Sequence, residues 1–269
     1  MRLSARTMAK NLGNFMLFYG GLCLIMFALQ RELLFVNSGD YLPPAEVGLA
    51  QANELRLTTA DGLSLVAWHV PAPTGQRTLV YFHGNAKGLT NRARIFSQFV
   101  QAGYGLLAVE YRGYPGNEGS PSEQGLYNDA RAAMEYLTQQ QGLQSEQIVL
   151  MGRSLGTGVA LKMASEYETH AVFLISPYDS IAHVAQGKYW YLPVHLLIRD
   201  PFDALALAPQ IDEPVYIFHG TQDHIIPMEH SQLLYDALPN DKHYIALERQ
   251  GHNRIDFAPI IQTLQRTHP

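Results

Sequence analysis

The chain has 269 residues, a net charge of −5 and charged side chains at only 16% of positions, against roughly 25% in an ordinary soluble domain. An apolar fraction of 47% with 10% aromatics can fill a large core, which excludes disordered and low-complexity classes. The acidic balance argues against a nucleic-acid binder, because polyanion binding needs a basic face, and the single cysteine, Cys23, excludes disulfide scaffolds, CxxC redox chemistry and thiolate zinc sites.

Residues 1–30 carry Arg2, Arg6 and Lys10 and no acid, so the remainder of the chain is net −8. Between residues 11 and 30 no side chain is charged, and 15–29 (FMLFYGGLCLIMFAL) is apolar apart from its glycines and one tyrosine. Twenty residues at helical rise span about 30 Å, the thickness of the hydrocarbon core. A cleaved signal peptide shares the basic start but ends in small residues at an A-x-A-like site; here the run ends Phe27-Ala28-Leu29-Gln30-Arg31. The pattern predicts an uncleaved membrane anchor over residues 1–32, with a cleaved signal peptide and a buried helix of a soluble protein as the alternatives. Three basic groups before the span against Arg31 just after it place the N-terminus in the cytoplasm and the rest across the membrane.

Residues 37–46 read as an irregular connector. Runs rich in β-formers at 54–59 and 63–70 flank Asp61-Gly62, a dipeptide that tolerates the positive φ of a tight hairpin. Strand-length apolar runs then alternate with helical patterns: strands at 78–82, 105–110, 148–151, 171–175, 215–218 and 242–247, and helices near 91–101, 122–141, 156–166, 228–237 and 257–267. Continuous runs such as 148–151 and 171–175 fit strands covered on both faces, which is a parallel sheet in an α/β fold. Residues 177–211 break the rhythm with Tyr189-Trp190-Tyr191 and Leu196-Leu197-Ile198. That segment is either plain core or a small lid lining an acyl-sized pocket or touching the bilayer interface.

Gly152-Arg153-Ser154-Leu155-Gly156 follows a predicted strand and opens a predicted helix. A nucleophilic serine needs this sharp turn, which holds its backbone strained and its hydroxyl out at the sheet edge. A hydroxyl is a weak nucleophile near neutral pH, so it requires a base, and an imidazole base requires an acid to fix its tautomer. His252 in Gly251-His252-Asn253, past the last strand, is the candidate base. Asp223, past the strand at 215–218, is the candidate acid, with Asp179 as its rival. The order Ser154, Asp223, His252 places each group on a loop at a strand's carboxyl end. His83-Gly84-Asn85-Ala86 follows the strand at 78–82, and the backbone amides of Asn85 and Leu155 are the expected oxyanion donors. His83 reads as a residue that holds this loop, Arg112 as a structural ion pair rather than an anion site, and Arg153 as part of a polar network, with Glu110 and Asp129 as candidate partners. No H-E-x-x-H or EF-hand spacing occurs, so no metal or cofactor is implied.

HGNA at 83–86, YRGYPGNEGSPSEQGLYNDA at 111–130, GRSLG at 152–156, SPYDS at 176–180, LLIRDPFD at 196–203, HGTQDHIIP at 219–227 and GHN at 251–253 together resemble the membrane-anchored serine hydrolases of the α/β-hydrolase superfamily. The resemblance covers residue 33 to the C-terminus and implies one catalytic domain over 33–269. It lies nearest the branch related to protein depalmitoylases and to monoacylglycerol or lysophospholipid hydrolases. The depalmitoylases typically carry a cysteine cluster near the N-terminus, where this chain has one cysteine inside an apolar span, a departure that counts against protein depalmitoylation. The resemblance and the anchor together imply hydrolysis of carboxylic esters or thioesters of acyl or lipid type, with no obligate protein partner. A peptidase or amidase with the same triad and a non-catalytic binding member are the alternatives.

Overall fold

The hairpin expected around Asp61-Gly62 is the entry to the sheet in a computed structural model that describes residues 5–239 and 241–267. Strands β1 (Asn53–Thr58) and β2 (Ser64–Val70) pair antiparallel, and Gly62 supplies the positive φ of 86° at the turn. β2 then pairs antiparallel with β4 (Gly105–Val109). From β4 onward the sheet is parallel through β3 (Thr78–Phe82), β5 (Ile148–Arg153), β6 (Ala171–Ile175), β7 (Val215–Gly220) and β8 (Lys242–Leu247), giving the order β1-β2-β4-β3-β5-β6-β7-β8. The chain is thus an α/β protein with a mostly parallel eight-stranded sheet, as its alternating pattern predicts.

Every residue of β3, β4 and β6 is buried, whereas the edge strands β1 and β8 keep exposed positions. This explains why the central strands read as continuous apolar runs. Alternate side chains enter opposite faces. Val80 and Phe82 join one core with Leu126, Val159 and Leu161, beneath α3 (Glu123–Glu135) and α4 (Leu155–Ala164). Leu79 and Tyr81 join the other with Phe96, Phe99, Ile260 and Leu264, beneath α2 (Ala93–Gln101) and α9 (Ala258–Arg266). The helix expected over 122–141 starts on the Ser122 cap, whose hydroxyl accepts from the Gly125 amide at 3.1 Å, and ends in a wide turn over Tyr136–Gln140.

The N-terminal helix α1 (Ala5–Leu34) runs two residues past the expected 1–32 boundary and is long and apolar enough to cross a membrane. Its apolar side chains stand exposed, among them Phe15, Leu17, Phe18 and Leu24. The first four residues of that segment, Arg2 among them, lie outside the described residues. Residues 177–211 divide into two parts. The first, with α5 (Ile181–Lys188) and α6 (Val194–Leu197), stands over the carboxyl end of the sheet beside α1. The second, with α7 (Ala204–Leu207), buries Phe202, Ala204, Ala208 and Ile211 in the layer that covers the sheet. Helix α8 (Met228–Ala237) connects β7 to β8.

Candidate active site

Ser154 sits between β5 and α4 with φ 51° and ψ −121°, a strained left-handed conformation for a side chain with a Cβ. The flanking glycines make the turn possible for a second reason. A Cβ on Gly156 would run into the carbonyl oxygens of Phe82 and His83, and one on Gly152 into the carbonyl of Gly156, so α4 approaches the sheet only because both are glycine. Gly84 has the same role across the site, since a Cβ there would stand 3.3 Å from Ser154 Cβ.

The structure brings together the three side chains that the sequence places on separate loops. Ser154 Oγ lies 3.0 Å from His252 Nε2, and His252 Nδ1 lies 2.7 Å from Asp223 Oδ2. With Nδ1 donating to the carboxylate, Nε2 is left to accept from the serine hydroxyl. Asp223 Oδ1 accepts from the amides of Ile225 and Ile226, both at 2.9 Å, which fixes the carboxylate plane. Burial pushes the Asp223 carboxyl up, but hydrogen bonding from His219, His252 and the Ile226 amide outweighs it and holds the carboxyl well below the usual carboxylate range.

Two positioning groups escape a reading based on motifs. His219 is fully buried at the end of β7; its Nε2 donates to the Ile226 carbonyl at 2.9 Å and lies 3.4 Å from Asp223 Oδ2. Arg153, expected in a polar network, donates from its guanidinium to the His252 carbonyl at 2.9 Å and so braces the histidine loop from beside the serine. The rival acid Asp179 is engaged elsewhere. One of its oxygens pairs with His183 and the other accepts from His230 Nδ1 at 2.8 Å, which ties the loop after β6 to α5 and α8. These three residues are also the one group of potential metal ligands gathered within 4.8 Å among the described residues, and both carboxylate oxygens are already occupied by imidazoles.

Asn85 and Leu155, whose backbone amides are the expected oxyanion donors, line the same cavity as Ser154. Leu155 is the first residue of α4, where the backbone N–H has no intrahelical partner. The Asn85 loop is held from three sides: its carbonyl accepts from the Val36 amide at 3.0 Å and from Tyr114 Oη at 2.8 Å, and its side-chain amide donates to the Leu34 carbonyl at 3.1 Å. Beneath it, His83 is fully buried with Nδ1 2.7 Å from the Gly84 carbonyl and Nε2 2.9 Å from Glu110 Oε1, as its expected loop-holding role requires. Burial pushes the His83 pKa down, which favours a neutral ring. Arg112 donates to Asp61 in the β1–β2 turn and to Asp129 in α3, so it is engaged as a structural ion pair that braces its loop; Asp61 is the partner the sequence does not reveal.

The triad opens into a cavity of about 900 Å³. Its walls come from the loop after β3, from Val184 of α5, Leu197 of α6 and Leu192 between those two helices, and from the end of α1 with Met26 and Leu33.

Comparison with known proteins agrees with this architecture. The α/β-hydrolase fold family profile matches residues 77–204. An uncharacterized protein of Mycobacterium tuberculosis is 33% identical over 235 residues, covering 87% of this chain and 84% of its own length. The human alpha/beta hydrolase domain-containing protein 17C is 31% identical over 204 residues, covering 72% of this chain and 59% of its own. Among solved structures, the Pyrococcus furiosus esterase Pf2001 superposes with a TM-score of 0.68 at 19% identity over 87% of this chain and 98% of that one. The mouse alpha/beta hydrolase domain-containing protein 10 does so at 0.63 and 18% identity, over 80% and 98%. Sheet order, strand-to-helix turn and sequence relatives together make this chain a hydrolase-fold protein of the α/β-hydrolase superfamily.

Proposed function

We propose that the protein is a serine hydrolase that cleaves carboxylic esters or thioesters of acyl type through an acyl-serine intermediate. The observation that carries this reading is the continuous hydrogen-bonded chain from Ser154 through His252 to Asp223 on the floor of a predominantly apolar cavity. Ser154 Oγ attacks the substrate carbonyl carbon while His252 Nε2 takes its proton. The amides of Leu155 and Asn85 donate to the oxyanion, each such donor being worth about 3 kcal/mol of barrier in comparable sites. Collapse of the tetrahedral intermediate breaks the bond to the leaving group, which receives the proton from His252. A water molecule, deprotonated by the same imidazole, then releases the acid and restores Ser154. Asp223 keeps the imidazole in the required tautomer and stabilises its cationic form.

The 177–197 part of the chain serves as a lid that excludes water from the acyl pocket, and α1 serves as a membrane anchor with the N-terminus in the cytoplasm. Turnover of a series of acyl esters and thioesters against matched aminoacyl amides, with Ser154→Ala as the blank, tests the reaction class. Ester or thioester turnover abolished by the substitution supports it, and turnover restricted to amides contradicts it. A protease-protection assay on sealed membranes tests the orientation: a catalytic domain cleaved from the cytoplasmic side contradicts it.

A further inference from the structure

The helix α1 and the lid touch along a considerable length. At the base, the Arg31 guanidinium pairs with Asp200 at 2.7 Å. At the preceding residue, the Gln30 side chain donates to the Leu197 carbonyl at 2.9 Å and accepts from the Arg199 amide at 2.7 Å. Far along the helix, Tyr19 Oη donates to the Tyr191 carbonyl at 2.8 Å. From Tyr19 to Arg31 is about 18 Å at helical rise, comparable to one leaflet of a hydrocarbon core about 30 Å thick.

The lid is built as a segment that leaves water. From Ile181 to Ile198 the only Asp, Glu, Lys or Arg is Lys188, which lines the cavity with its ammonium 5.6 Å from the Tyr189 ring centroid. In its irregular stretch between α5 and α6, the carbonyls of Tyr189, Tyr191 and Leu192 and the amides of Leu192 and Val194 are bonded within the protein. Gln186 donates to the Leu192 carbonyl at 3.1 Å and accepts from the Val194 amide at 3.2 Å, the Leu192 amide donates to the Tyr189 carbonyl at 2.9 Å, and Tyr19 caps the Tyr191 carbonyl. Non-helical backbone is tolerated at membrane depth only when it is satisfied by protein in this way. Meanwhile Trp190 is 78% and Leu196 85% exposed, like the bare apolar side chains of α1, the helix that the same segment touches through Tyr19.

We propose that α1 and the lid form one membrane-inserted unit: the lid tip, 189–197, is embedded in the leaflet beside the helix, and the cavity between them takes its acyl chain sideways from the bilayer. The embedding stands on the contacts above; the acyl substrate rests on the hydrolase reading. Met26 and Leu33 of α1 are then walls of the acyl site as well as parts of an anchor.

The chain has two tryptophans, and Trp68 is fully buried in the core, so Trp190 reports the lid tip. The full-length protein is reconstituted into phosphatidylcholine nanodiscs with plain or acyl-brominated chains, and Trp190→Phe supplies the Trp68 background. The Trp190 emission is expected to lose at least half its intensity in brominated bilayers and to resist iodide in the aqueous phase. Emission unchanged by brominated chains overturns the embedding, whether the tip faces water, a second copy or another protein. In a second readout, Trp190→Asp and Leu196→Asp are expected to lower turnover of long-chain acyl lipids in vesicles by at least about tenfold, since a charge is disfavoured in the hydrocarbon. Turnover of a water-soluble acetyl ester stays the same in both. Equal loss on both substrates overturns lateral loading. The quenching does not depend on chemistry, so a quenched Trp190 in a chain whose Ser154 proves unreactive sinks the hydrolase reading alone.

Discussion

His252 Nε2 lies 3.0 Å from Ser154 Oγ although 98 positions separate the two residues. Parallel topology produces the meeting, because β5, β7 and β8 all end on the same side and each delivers one loop to it. The same geometry separates the two candidate acids. Asp223 bonds the triad imidazole, while Asp179 bonds His183 and His230.

Asp223→Asn is therefore expected to lower kcat by about 10⁴-fold with the fold intact, because the imidazole loses the partner that sets its tautomer. Asp179→Asn is expected to keep kcat within a few-fold and to lower Tm instead, by weakening a buried network. Ester kinetics and thermal melts of the two variants check this, and the opposite pattern would assign the acid to Asp179.

Gly156→Ala introduces a methyl group where the Phe82 and His83 carbonyls stand, and backbone on both sides leaves no room for it to move. The cost is expected to exceed about 3 kcal/mol, a Tm loss of roughly 10 °C or failure to accumulate as soluble or membrane-extracted protein. Gly187→Ala, on the exposed face of α5 with open space around it, is the control and is expected to be tolerated. Equal behaviour of the two contradicts the packing argument.

Acid should destabilise the protein partly through Asp223. Its carboxyl is held below the ordinary range in the fold, so the native state binds fewer protons than the unfolded chain. The resulting stability is present above the unfolded value of about 3.9 and is lost as pH falls toward the native one. Tm measured from pH 6 downward is expected to drop below about pH 4, with a shallower drop in Asp223→Asn. Identical slopes would show that the carboxylate contributes no such linkage.

The pair Arg31 and Asp200 joins the end of α1 to the segment that follows α6, with Asp200 almost fully buried and Arg31 one-third exposed. Arg31→Met leaves a buried carboxylate with one partner fewer, although the Glu123 amide still donates to it at 2.8 Å. Discounted for the exposed guanidinium, the loss is expected to be about 1–2 kcal/mol, or a Tm drop of roughly 5 °C. An unchanged Tm would mean that the helix is only a tether.

The parts of the molecule legible in the sequence are those with local causes. Thr78–Phe82, Ala171–Ile175 and Lys242–Leu247 are read to the residue because apolar runs bounded by polar turns are a property of the segment itself. Ser154 is legible because glycines two residues either side are required by sterics within one turn. His219, Arg153 and Asp61 are not, since each acts across a long loop closure that only the tertiary fold creates. The same is true of Tyr19 and Gln30: an apolar run with one tyrosine and a terminal glutamine reads as an anchor, and nothing in its spacing reveals that these two polar groups bond the Tyr191 and Leu197 carbonyls. The wide turn at Tyr136–Gln140 also escapes notice, because its residues continue the helical pattern that precedes it.

The central claim is that Ser154 is an activated nucleophile. Intact mass and peptide mapping after exposure of the full-length protein to a fluorophosphonate probe test it most directly, because only a serine with a working base and oxyanion site reacts readily. The account predicts one adduct, on Ser154, lost in Ser154→Ala and strongly slowed in His252→Ala. Absence of an adduct from folded wild-type protein, or an adduct that persists in Ser154→Ala, would contradict it.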